Sequence, residues 1–148
     1  MVERAKIPYR EVFYECPEKE EIGPRAAEAA NLPPQQVFKT LVARGARTGI
    51  SVFSIPVSGE LDLKKAAAAA GDKSISLLPV KELLGVTGYV RGACTPVGMK
   101  KKFPVFIDAS AQQYDEIAIS AGARGHQMLL PPIPFAELAG ASFADLTI

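Results

Sequence analysis

The sequence predicts an α+β fold, a mixed sheet or barrel with a few packed helices, and three observations carry it. Stretches with strand character outnumber helical ones. Most follow one another without a long helix between them, which argues against a doubly wound parallel sheet. Apart from one alanine run, no repeat, linker or low-complexity segment interrupts the 148 residues, so the whole chain, 1–148, is read as one domain. A chain this long buries roughly 70% of the surface it exposes unfolded, enough for a core without disulfides or metals.

Residues 9–15 (YREVFYE) alternate as a half-buried strand. Gly23-Pro24 opens a helix with Pro24 near its first position, and four alanines between 26 and 30 favour it until Asn31 and Pro33-Pro34 end it. Residues 37–44 (VFKTLVAR) form the next strand, with Val37, Lys39 and Leu41 on one face and Phe38, Thr40 and Val42 on the other. Residues 50–57 are a third strand, and Pro56 marks an edge or an end. Asp62 caps a helix over 63–70, and Gly71 closes it. A short strand over 74–78 and one or two helical turns over 79–84 lead to Gly85. Residues 86–91 and 105–108 are strands on either side of a Gly- and Lys-rich loop. Residues 112–115 turn, 117–120 are a strand, 122–125 turn, and 127–130 are a strand stopped by Pro131-Pro132. A short helix over 135–138 and the segment 142–148 complete the chain.

Hydrophobic residues make up 48% and charged residues 22%, with a net charge of +1, so any contact with nucleic acid must use a local patch. Cys16 and Cys94 form no CxxC pair and no disulfide framework, which points to a reducing, cytoplasmic setting. The first fifteen residues lack a long apolar segment and are not read as a signal peptide. No run approaches the ~18 apolar residues that would suggest a membrane span.

His126 is the only histidine, and its surroundings, RGHQMLL, hold no nucleophile motif, so it is read as a surface or packing residue. One histidine and two distant cysteines do not make a metal site. Neither GxxxxGK[ST] nor GxGxxG occurs. Lys39 is the residue that stands out. An ammonium inside an apolar strand either snorkels to water or offers its charge to a phosphate or carbonyl. The stretch 88–108, GYVRGACTPVGMKKKFPVFID, is the second feature. Its glycines allow close backbone approach, and backbone N–H groups between Gly92 and Gly98 are suited to a carbonyl or oxyanion. Lys100, Lys101 and Lys102 are a solvated run or a phosphate contact. Asp108 is either a turn cap or a site acceptor. Cys94 has no recognisable basic partner and is read as an inert thiol.

These residues carry a resemblance. The chain is similar to the YbaK/EbsC family, free-standing relatives of the editing domain inserted in bacterial prolyl-tRNA synthetases. The stretches VFKTL from Val37, PVSGELDLKK from Pro56, GACTPVG from Gly92 and Ile107-Asp108-Ala109 carry it, with a weaker match at the Gly122–Gly125 turn. It runs from about Ile7 to Leu146, with order and spacing agreeing throughout. The resemblance implies a mixed, mostly antiparallel β-barrel-like sheet with flanking helices, and hydrolysis of mischarged aminoacyl-tRNA, Cys-tRNA(Pro) above all. Alternatives are removal of another small amino acid such as alanine, or a non-catalytic module that binds the tRNA 3′ end or a synthetase.

The family's essential strand lysine maps to Lys39, followed by Thr40, and its carbonyl-binding loop maps to Gly92, Ala93, Thr95, Pro96 and Gly98. Tyr14 matches the tyrosine after the first strand. Catalysis is thus expected of Lys39, Gly92, Thr95 and Gly98, and substrate binding of Tyr14, Thr40, Ala93, Pro96, Asp108 and Gln127. Arg91, Arg124 and Lys100 to Lys102 would meet tRNA phosphates, which position without reading sequence. Gln127 departs from the family pattern, which often has an aspartate there, and this bears on the amino acid selected. No cofactor, metal, membrane or DNA is expected. The implied partners are the acceptor end of mischarged tRNA for proline, with prolyl-tRNA synthetase as a further candidate.

Overall fold

The computed structural model describes residues 9–13, 32–79, 82, 85, 103–123 and 126–148, with no account of the side chains of 121–123. Among these, eight strands and two α-helices form a mixed α+β fold. Strand β1 is Arg10–Phe13, and a 3-10 turn at Pro34–Gln36 leads into β2, Phe38–Gly45. A tight turn connects β2 to β3, Gly49–Pro56. Helix α1, Leu63–Ala70, and β4, Ile75–Leu77, follow. Strand β5 is Val105–Asp108, and a 3-10 turn at Ala109–Gln113 leads to β6, Ile117–Ala123. Strand β7, His126–Leu130, helix α2, Pro132–Ala139, and β8, Ala141–Ala144, come last.

The strands form two sheets, one in the order β1-β7-β6 and one in the order β4-β2-β3-β5-β8. Most pairings are antiparallel; β3–β5 and β5–β8 are parallel. A parallel bridge between Val37 and Ala118 joins the sheets at the start of β2. Alternation then sorts the side chains. Phe38, Val52, Val105 and Ile107 pack with Ile117, Ile119, Met128 and Leu130 under Phe135 and Ala136 of α2. On the other face Ala43, Phe53, Ile55 and Leu146 pack under Ala66 and Ala67 of α1. Val37, Ala118 and Leu129 form a third, smaller cluster on that side of β2.

Helix α1 forms where its caps place it. The Asp62 carboxylate accepts from the backbone N–H groups of Lys64 (2.9 Å) and Lys65 (3.2 Å), and Gly71 closes the helix at φ 75°. Several sequence expectations move. The strand expected over 117–120 continues through Gly122 and Ala123, because Ala123 still pairs with His126. Helix α2 starts at Pro132, not 135, since a proline at the first helical position lacks only an N–H that would be unpaired anyway. The turn expected at 112–115 is a 3-10 turn from Ala109, begun by Asp108. Strands 2, 3 and 7 each differ by one residue from the expected bounds. The helix expected near 24–30 and the strand at 86–91 lie outside the described residues, as do most of residues 79–84.

Candidate active site

The site starts from the alternation of β2. Lys39 shares a face with Val37, which belongs to the smallest apolar cluster, and with Leu41, which packs against the cluster under α1. It is half-buried between them and pairs with the fully buried Ile55 on β3. Burying Val37 and Ile55 contributes about 1.5–3 kcal/mol each, which holds a lysine in a place its charge would not choose. Among the described residues, Lys39 has no ion-pair or hydrogen-bond partner.

Lys39 also lies where the sheet divides. Val37 bridges β6 at Ala118, but from Ala43 onward β2 pairs with β4 instead. Leu78 donates its N–H to the Val42 carbonyl (2.9 Å), and the next residue is Pro79, which has no N–H to continue the ladder. Among the described residues, β2 therefore has no strand partner on this side between Val37 and Val42. Places where neighbouring strands diverge form crevices suited to ligands.

Register brings other expected residues to the same side. Ser54 pairs with Ile107, so Ile55 is level with Asp108, and Lys39, Ile55 and Asp108 form one row across three strands. Asp108 is 4% exposed. Its Oδ1 accepts from the Leu146 N–H (2.9 Å), and its Oδ2 accepts from the Ser110 N–H (3.2 Å) and hydroxyl (2.5 Å). The carboxylate is a cap and a tie to the last residues of the chain. Gln127, 3% exposed, lies on β7 between Val12 on β1 and Ser120 on β6. It shares a side with Leu129 and Ala118, and hence with Val37.

Thr40 is not brought to that side. Its hydroxyl meets the Ser54 hydroxyl (3.2 Å) on the opposite face of β2. Tyr14, Arg91, Gly92, Ala93, Thr95, Pro96, Gly98, Lys100, Lys101, Lys102 and Arg124 lie outside the described residues. His126 stacks on Phe13 at 4.2 Å, with Nε2 3.6 Å from a Glu11 carboxylate oxygen, a packing position on the face away from Gln127. Among the described residues, no group of three or more His, Cys, Asp or Glu is arranged around a metal, and no helix is long and apolar enough to cross a membrane.

The model of the aminoacyl-tRNA editing domain matches residues 17–136, most of the chain. The chain belongs to the aminoacyl-tRNA editing domain family. One editing-domain relative is EbsC of Enterococcus faecalis, a proposed Cys-tRNA(Pro)/Cys-tRNA(Cys) deacylase, 44% identical over 99% of this chain and 90% of that protein. A proline–tRNA ligase of Thermosipho africanus is 34% identical over 77 residues, 52% of this chain and 14% of the ligase. Among solved structures, a proposed trans-editing enzyme for prolyl-tRNA synthetase superposes with a TM-score of 0.84 at 25% identity, covering 99% of this chain and 92% of that one. The hypothetical protein APE2540 shares the editing-domain fold with a TM-score of 0.88 at 20% identity, over 99% and 96% of the two chains.

Proposed function

We propose that this editing domain is a free-standing deacylase that hydrolyses the ester of mischarged tRNA for proline, with cysteine as the amino acid removed. The observation that carries the reading is Lys39: a half-buried ammonium without a partner among the described residues, where β2 leaves β6. The near-full-length likeness to EbsC supports cysteine. In this reading residues 1–148 act as one domain in the cytoplasm.

An aminoacyl ester is already activated, so its hydrolysis rests on positioning and on polarising the carbonyl. Lys39 holds the carbonyl side or the phosphate of the terminal adenosine, and backbone N–H groups of residues 92–98 stabilise the oxyanion. Water adds to the carbonyl carbon, the carbon–oxygen bond to the ribose breaks, and the ribose oxygen takes up a proton; free amino acid and tRNA leave. The water is activated by a ribose hydroxyl. If instead the thiol of a cysteine substrate attacks, it displaces the same ribose oxygen before water opens the thioester formed. Arg91, Arg124 and Lys100 to Lys102 neutralise acceptor-stem phosphates. Prolyl-tRNA synthetase is the candidate partner that supplies the mischarged tRNA.

The test is deacylation of tRNA for proline carrying cysteine, alanine or serine, with uncharged and correctly charged controls. Rapid release of cysteine is the expected result, and absence of release from every mischarged tRNA overturns the reading. Gln127, standing where relatives often have an aspartate, favours a second reading in which the domain binds the tRNA 3′ end or a synthetase without turnover. That reading requires binding in the absence of any release.

A further inference from the structure

The register places at the site a residue that no local motif marks. Val37 and Ala118 bridge in parallel, so two residues further along both strands Ser120 is level with Lys39. Ser120 pairs with Gln127, and Gln127 pairs with Val12. One transverse line therefore runs Val12, Gln127, Ser120, Lys39, Ile55, Asp108, broken only where β2 and β6 part. Ser120 is 6% exposed, and the register of β6 shifts immediately after it, between Ser120 and Ala123. Such irregularities re-aim side chains and recur beside active sites. The fully buried apolar cluster on this side is Val37, Ala118 and Leu129.

The arrangement is thus an apolar floor with a small residue, Ala118, a cation on one side and a hydroxyl–carboxamide pair on the other. We propose that Ser120, beside Gln127, is a specificity-determining residue: it faces the side chain of the amino acid esterified to the RNA and favours a small thiol or hydroxyl over a methyl of similar size. This inference rests on the deacylase reading. Buried polar groups are costly where a ligand offers them nothing in exchange for water. A site built around hydrogen-bonding groups therefore rejects an apolar analogue more strongly than an apolar pocket rejects a slightly larger one. Lys39, acting at the ester, treats all aminoacyl groups alike; the pair on β6 and β7 is where they differ.

The experiment measures kcat/KM for Cys-, Ser- and Ala-tRNA(Pro) with the full chain and with Ser120→Ala, Ser120→Thr and Gln127→Leu, each checked for folding by its thermal transition. Ser120→Ala is expected to lower the Cys/Ala and Ser/Ala ratios about tenfold, with Ser120→Thr, which keeps the hydroxyl, restoring them. Should Ser120→Ala not fold, the same fall in ratio in Gln127→Leu carries the test. Ratios unchanged in folded, active variants, or equal losses on all three substrates, overturn the selecting role and leave the deacylase reading standing. A wild-type chain inactive on all three removes both.

Discussion

Lys39 and Asp108 stand on one row of the sheet, two strands apart, with the buried Ile55 between them. At the usual strand spacing their backbones are about 10 Å apart. They are used in opposite ways. Asp108 accepts from three protein donors, whereas Lys39 has no partner among the described residues. The row thus separates a group that holds the fold from a group available to a ligand.

Lys39→Ala is expected to lower deacylation kcat/KM by about 10²–10³, the usual loss when one charge-stabilising donor is removed. Because Lys39 has no partner among the described residues to strand, the thermal midpoint is expected to stay close to wild type. Lys39→Arg keeps the charge but not the compact ammonium, and partial activity is expected. Steady-state deacylation with calorimetry on the same preparations checks both.

Asp108→Ala strands the buried Leu146 N–H and frees Ser110, so destabilisation of about 1–3 kcal/mol is expected by denaturant unfolding. Asp108→Asn keeps one carbonyl acceptor and should lose less. Activity in both is expected to track the folded fraction; a tenfold fall in kcat in fully folded protein would instead place Asp108 against the substrate.

The third prediction concerns the turn between β2 and β3. Asp72 Oδ2 accepts from the N–H groups of Arg47 and Thr48 and from the Thr48 hydroxyl, each at 2.9 Å. The backbone donors of Thr48 and then Arg47 hold its carboxyl far below the ordinary carboxylate range. A carboxyl depressed on folding stabilises the fold above its unfolded pKa, about 3.9, and loses that contribution as the pH falls further. The difference in thermal midpoint between wild type and Asp72→Asn is therefore expected to be full at pH 6 and to shrink progressively below about pH 4.

Gly45 gives a steric test of the same turn. A methyl there would collide with the Asp72 carboxylate and come within 2.7 Å of the Thr48 hydroxyl. Gly45→Ala is expected to cost about 1–3 kcal/mol. At Gly59 the nearest atom to such a methyl is Thr147 Cγ2 at 3.4 Å, so Gly59→Ala should be nearly neutral. Unfolding curves of the two variants make the comparison.

What was legible in the sequence was local. Asp62 and Gly71 bracketed α1 because caps act within a few residues, and residues 105–108 were found as β5 with the bounds the structure has. Lys39 stood out as a charge in an apolar strand. Pro131-Pro132 do stop β7 at Leu130, as their sequence indicates, but the helix that begins at Pro132 was placed three residues late. Ser120 escaped because a serine in a strand has no local signature; its place beside Lys39 follows from a bridge between Val37 and Ala118, far apart in the chain. The parallel pairing of β5 with both β3 and β8 was equally invisible, since register between distant segments is set by packing.

Asp108 receives the Leu146 N–H and pairs with Ala144, so β5 is completed by a segment 38 positions further along the chain. Until that segment docks, Asp108 lacks one of its donors and β5 lacks its outer neighbour. Contacts this distant in sequence form late and slowly. A truncation that removes β8 thus yields a protein short of its keystone rather than a shortened enzyme.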